Sequence, residues 1–316
     1  MRKYDILALG ELNVDLLLND IPSLPEIGKE IFAGKMKLAL GSSTAIFAAN
    51  ASSLGAKVAF LGAVGDDSFG RFVISSLHDK GVGTSSVLLK NDEATGLTVV
   101  MNYSDDRANV TYPGAMLHFG LKDINPDVLV EARHVHISSI FLQPQLLRDL
   151  PEILKLAKAQ GCTVSLDTQW DPSEEWAVDY KQILPLIDVF MPNEKEVMCL
   201  TKTNSIEDAI DAIKEYINVA VIKMGAKGSL MVDKGGHRNF MDAFLNREVV
   251  DAIGAGDSFN SGFIASMVKG RTLKVCQHNG NLAGAISTTA AGGTGAFANF
   301  ESVRNAASKF GQTYYL

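Results

Sequence analysis

The sequence predicts an α/β protein: a three-layer α/β/α, doubly wound, mostly parallel sheet with a small β-sheet lid. Three observations carry this expectation. Short runs that are apolar throughout recur along the chain, helical patterns separate them, and two stretches break the alternation. The runs lie at 6–9, 58–61, 135–138, 163–167, 189–191, 219–223 and 229–232. Unbroken apolarity is what strands show when both faces of a parallel sheet are covered.

Helical patterns fill 44–54, 70–80, 145–160 and 206–216. Gly55 and Gly81 follow two of them at positions suited to a left-handed helix end, and Ser205 with Asp208 makes a capping box for a third. Residues 11–40 and about 95–113 lack helical periodicity. They carry strand-like pieces at 30–40, 96–103 and 108–112, separated by Pro, Gly, Asn and Asp. These two excursions are expected to form a lid over the C-terminal ends of the strands, where open α/β sheets bind ligands. The whole chain, 1–316, then reads as one domain with the lid built into it.

Composition narrows the function. The chain has 316 residues, of which 47% are hydrophobic and 21% charged, and carries a formal net charge of −7. No Lys/Arg-rich run appears, which argues against a nucleic-acid partner and for a small-molecule enzyme. Three cysteines, Cys162, Cys199 and Cys276, are widely spaced and suggest neither a disulfide framework nor a metal site. The apolar run near Met1 is too short and too interrupted for a signal peptide or a membrane span, so the cytoplasm is the expected location.

The most informative stretch is 251–264, DAIGAGDSFNSGFI. Gly254, Ala255 and Gly256 let a ligand approach the backbone closely, and a helix follows with Phe259, Phe263, Ile264 and Met267 on one face and Gly270 at its end. Free N–H groups at such a helix start, with the helix dipole, form an anion site. Asp257 lies in the first turn. A carboxylate beside a bound phosphate repels it, so its presence there calls for a chemical task, and accepting a proton from an attacking hydroxyl is one. The plainer alternative is an Asp that only complements the helix dipole. No GxxxxGK[ST] loop is present and no GxGxxG follows the first strand, so nucleotide binding would need another scheme.

Taken together, the motifs resemble those of the ribokinase-like, or PfkB, family of carbohydrate kinases. The GAGD box is similar to the second signature of that family. GELNVD at 10–15, GSSTAIFA at 41–48, VGDDSFG at 64–70, NEKE at 193–196 and KMGAKG at 223–228 resemble its other motifs, in the same order. The resemblance implies ATP-dependent transfer of a phosphoryl group to a hydroxyl of a small sugar or sugar derivative. Asp257 would be the base, with the amides of Gly254, Ala255, Gly256 and Asp257 as anion hole. Asn193 and Glu196 would hold Mg²⁺ with ATP through water. Lys223, Gly225 and Gly228 would lie by the nucleotide, and Asn281 near the adenine. Asn13 and Asp15 would bind acceptor hydroxyls, with Gly41 and Ser42 allowing close approach. Relatives also suggest a monovalent cation such as K⁺ near Asp251 and Gly293, and a homodimer through the lid. Gln143, just past a strand, is read from its position as reaching the acceptor.

Some positions depart from the family pattern. Ser42 and Ile46 stand where a second Gly and an Asn are usual, Ala252 replaces a Thr or Ser, and Gln169 and Asp171 replace the Asn and Arg of DxNxR. These changes touch the choice of acceptor more than the transfer chemistry. A nucleoside kinase with Ile46, Phe47 and Phe141 as base wall, and a sugar- or nucleotide-binding regulator without activity, are the alternatives. His134 and His136 share a strand face and are read as packing residues rather than metal ligands, and Asp66 and Asp67 as turn residues.

Overall fold

A computed structural model describes residues 2–103 and 107–315. The tip of the second lid excursion, 104–106, lies outside the described residues, as do both terminal ones. In chain order, β1 (Tyr4–Leu9) is followed by β2 (Asn13–Asn19), β3 (Lys35–Leu40), α1 (Ser43–Ser53), β4 (Val58–Leu61) and α2 (Ser68–Asp79). Next come β5 (Gly96–Asn102), β6 (Arg107–Tyr112), β7 (Ala132–Ser138), α3 (Pro144–Ala159), β8 (Thr163–Asp167) and β9 (Val189–Phe190). The last part holds α4 (Glu194–Thr201), α5 (Ile206–Ile213), β10 (Val219–Lys223), β11 (Ser229–Asp233), β12 (Arg238–Met241), α6 (Ala255–Val268), α7 (Leu273–Ser287) and α8 (Phe300–Lys309).

The main sheet has the order β12-β11-β10-β9-β8-β7-β1-β4. From β4 to β10 all neighbours are parallel, and the antiparallel pair β11 and β12 finishes one edge. The apolar runs are buried as expected: Ile6, Leu7, Val135, Ile137, Val164 and Val221 are fully enclosed. Helices α3, α4 and α5 pack on one face and α1, α2, α6, α7 and α8 on the other, each over its own apolar layer. Among the described residues no helix is long and apolar enough to cross a membrane, and all three cysteines are free.

A separate four-stranded sheet, β3-β2-β5-β6, is made from the two excursions. Only the β2–β5 pair in it is parallel, and it sets Asp15 opposite Thr98. Sequence reading missed β12, α7 and α8 as elements. Helix α7 is rich in Asn, Gln and Gly and buried along most of its length, so it has no one-sided apolar stripe to detect. The same holds for α6, which is buried from Asp257 to Ser266 rather than on one face. Wedged among other helices, α6 brings its N-terminus to the middle of the molecule instead of the surface.

Candidate active site

Parallel strands deliver their C-terminal residues to one edge of the sheet, and polar side chains gather there. Asp167 ends β8 and Lys223 ends β10. Asn193 and Glu196 begin α4, while Glu11 and Asn13 follow β1. The start of α6 faces this edge. Gly254 takes φ +73°, and a Cβ there would lie 2.7 Å from the Cα of Gly293, so only glycine fits. No side chain caps α6. The Ala255 N–H reaches the carbonyl of Ala252 at 3.3 Å, while helix geometry leaves the first-turn amides of Gly256 and Asp257 without intrahelical partners. The Ala255 amide, expected among the anion donors, already has this partner within the protein.

Two cavities meet at Asp257. One, about 540 Å³, is lined by Asn193, Glu196, Lys223, Gly225, Gly228 and Asn281, with Phe244 and Leu245 at its apolar end. The other, about 340 Å³, lies under the lid and is lined by Glu11, Asn13, Asp15, Ser42, Thr98 and Trp170. Gly254, Asp257, Gln169 and Arg107 border both.

Asp257 is 7% exposed. Burial, followed by the carboxylate of Asp167, pushes its acid up to about 8, against the pull of Lys223. The Lys223 ammonium forms an ion pair with Asp167, and Gln169 Nε2 bridges Asp167 Oδ2 at 3.0 Å and Asp257 Oδ1 at 2.9 Å. Asn260 Nδ2 also donates to Asp167 Oδ2, at 2.6 Å. Burial works against the charge on Lys223, yet Asp167 and Glu196 more than offset it and hold it protonated. A Cβ on Gly256 would lie 3.5 Å from Lys223 Nζ, so the ammonium sits against the helix start.

On the nucleotide side, Asn193 and Glu196 form a reciprocal cap: the Asn193 N–H donates to Glu196 Oε2 at 2.8 Å, and the Glu196 N–H donates to Asn193 Oδ1 at 2.8 Å. Burial and the nearby Asp167 raise the Glu196 acid. Gly228, at φ +114°, turns the chain where a Cβ would meet the Met241 carbonyl at 2.0 Å. Asn281 Nδ2 donates to the carbonyls of Met241 and Asp242 at 3.3 Å. Asp251 accepts N–H bonds from Ile253 and Gly292, each at 2.8 Å, and so ties two loops together.

On the acceptor side, Asn13 Nδ2 donates to Thr98 Oγ1 at 2.8 Å and to Asp15 Oδ1 at 3.2 Å. Burial raises Asp15 to about 6. A Cβ on Gly41 would lie 2.3 Å from Asp15 Oδ1, so that glycine makes room for the carboxylate rather than for the ligand. Ser42 sits at φ 70°, where the family pattern has Gly; its hydroxyl donates to the Glu11 carbonyl at 2.7 Å and accepts from the Ala45 N–H at 2.9 Å, which steadies the unfavourable backbone. Ile46 packs against Gly254 and Gly293 as an apolar wedge. Asp171 anchors its own loop by accepting from Ser173 and Trp176 N–H groups.

Gln143 is a correction. It is fully buried, absent from the cavity lining, and its amide donates to the carbonyls of Ser138 and Ser139. The 3₁₀ turn at Ile140–Leu142 folds the chain back there, so Ser139 and Leu142 border the cavity instead. Phe47 and Phe141 do not line it either; Phe47 stacks on buried His136 at 3.7 Å, and Phe141 meets Trp176 edge-on. His134 and His136 hydrogen-bond Thr163 and Ser165, and Asp67 caps α2, both as packing and turn readings anticipated. Sequence reasoning missed Glu11, Asp167, Arg107, Thr98 and Trp170. Glu11 and Asp167 carried a signal, since both are carboxylates at the end of a buried parallel strand; the others carried none.

An α/β sheet with a glycine-lined helix N-terminus beside a buried lysine, and a second cavity under a lid, is an arrangement suited to binding an anionic ligand next to a small polar one. The family model described as "pfkB family carbohydrate kinase" matches residues 4–298, and the chain belongs to that family. It is 27% identical over 301 residues to a ribokinase of Haemophilus influenzae, covering 92% of this chain and 94% of that one. It is 25% identical over 280 residues to an ATP-dependent 6-phosphofructokinase of Thermoanaerobacterium thermosaccharolyticum, covering 86% and 84%. The solved structure of Arabidopsis thaliana ribokinase complexed with ribose and ATP superposes with a TM-score of 0.79 at 26% identity, over 96% of this chain and 98% of the other. The protein is thus a carbohydrate kinase of the PfkB and ribokinase type.

Proposed function

We propose that the protein transfers the γ-phosphoryl group of ATP to a hydroxyl of a small sugar or sugar derivative, with Asp257 as base. One observation carries this reading: Asp257 stands where the two cavities meet, so a triphosphate tail and an alcohol can reach it from opposite sides. Gln169 and Ser43 hydrogen-bond the Asp257 carboxyl and orient it toward the acceptor. Asn13 and Asp15 orient the acceptor from the lid. The amides of Gly256 and Asp257, with the Lys223 ammonium beside them, stabilise charge on the transferred group.

The donor set suits Mg²⁺ held through water. Glu196 and Asn193 line the nucleotide cavity; their oxygens already accept from each other's N–H groups, and their remaining lone pairs can accept from metal-bound water. Bound with ATP, Mg²⁺ would neutralise charge on the β- and γ-phosphates. A monovalent cation beside Asp251 belongs to the same proposal, and activity in potassium against tetramethylammonium buffer tests it. So does a homodimer through the lid, whose outer residues Met36 and Val110 are 67% and 61% exposed; light scattering decides that. We place the protein in the cytoplasm.

The test is ADP release with Mg·ATP against a panel of sugars, sugar acids and nucleosides. The reading expects turnover that depends on one acceptor. ATP bound but turned over with none contradicts it.

A further inference from the structure

Resting on the kinase reading, we propose that the acceptor is an uncharged monosaccharide, held with its hydroxyls toward Asn13, Asp15 and Asp257 and an apolar ring face toward Trp170. The charge inventory of the lid-covered cavity argues for this. Three carboxyl groups border it, from Glu11, Asp15 and Asp257, against one cation, Arg107. Glu11 is 1% exposed and its carboxyl accepts the Thr44 N–H at 3.1 Å; it is fixed in the floor and cannot swing away from a ligand.

Arg107 does not turn the cavity into an anion site. It borders the nucleotide cavity as well, so it does not belong to the acceptor cavity alone. Its charge also already acts on Asp15. An acceptor bearing its own carboxylate or phosphate would add a negative charge to a space whose burial already disfavours the charged forms of Glu11, Asp15 and Asp257. Hydroxyl groups suit the place: carboxylates accept from them, while Asn13, Thr98 and Thr111 can both donate and accept.

Trp170 supplies the second half of the argument. Its indole lines this cavity and is 39% exposed. The ring is held by an edge contact to Trp176 at 5.4 Å and by the Lys195 ammonium 4.9 Å from its centroid. Asp171, which anchors the same loop, fixes the position. A flat apolar surface beside a set of hydrogen-bonding groups is matched by a sugar ring, which has C–H groups on its faces and hydroxyls at its rim.

Matched pairs test the inference: fructose against fructose 6-phosphate, glucose against gluconate, and ribose against adenosine. Dissociation constants come from calorimetry with a nonhydrolysable ATP analogue, and kcat/KM from ADP release. The best neutral sugar should bind at least about tenfold more tightly than its anionic counterpart. Asp15→Asn, checked for folding by circular dichroism, should narrow that gap at least threefold or so. Trp170→Ala should raise KM for the sugar about tenfold with kcat little changed, and Trp170→Phe should restore most of it. Equal or tighter binding of the anion, a preference for adenosine, or no binding of any neutral sugar overturns the proposal. Turnover of an anionic acceptor would do so while leaving the kinase reading intact. Specific binding of a neutral sugar without phosphoryl transfer would support the proposal and defeat the kinase reading.

Discussion

The two sides of the cleft are made from different materials. The nucleotide side draws much of its shape from backbone, at the start of α6 and the turns at Gly225 and Gly228, with the side chains of Lys223, Asn193 and Glu196 set against it. The acceptor side is side chains brought from separate segments: Glu11, Asp15, Thr98, Arg107 and Trp170. A site made of backbone tolerates many sequences around a few fixed glycines. A site made of side chains can be changed one residue at a time, so specificity can vary there while the transfer apparatus stays constant.

Breaking the shared ground between the sides should have the largest effect on stability. Lys223→Met leaves the carboxylate of Asp167, which is wholly enclosed, without its ion pair. The expected loss is about 3–5 kcal/mol in denaturant unfolding, partly recovered by adding Asp167→Asn. A loss below about 1 kcal/mol would show that the pair is not what holds this edge. Next comes the backbone side: Gly254→Ala forces a methyl group against Gly293 and a left-handed backbone on alanine. It should cost about 2–4 kcal/mol and lower kcat for every acceptor alike. An acceptor-dependent effect would blur the contrast drawn here. The smallest effect sharpens the side-chain half. Gln169 sits at φ 58°, a conformation that Asn tolerates, so Gln169→Asn keeps the backbone and shortens the amide away from Asp257. Melting should barely change while kcat falls about tenfold, the scale of one lost hydrogen bond to a charged group.

The same contrast explains what the sequence disclosed. The sheet was legible because its strands are mostly apolar, and the GAGD box because its glycines, its helix and Asp257 are contiguous. The cap between Asn193 and Glu196 follows from a spacing of one helical turn. Thr98 and Arg107 were not legible, since nothing local relates a lid strand to Asp257 far along the chain. Gln143 misled because position after a strand says which edge a residue reaches, while the left-handed turn at Ser139 decides which way it points. Ser42 shows a further limit: a serine at φ 70° is a backbone requirement that its residue type conceals.

The most direct measurement is kcat/KM against pH for the wild type and Asp257→Asn on the confirmed acceptor. Burial and the nearby Asp167 raise the carboxyl of Asp257 to about 8, and as the proposed base it would have to lose its proton first. Activity should therefore climb about tenfold per pH unit below about pH 8, bend there and level off above it. Asp257→Asn should be lower by about 10²–10⁴ with that rise abolished and ATP binding retained. An Asp257→Asn enzyme that keeps the wild-type rate and the wild-type pH profile would contradict the account.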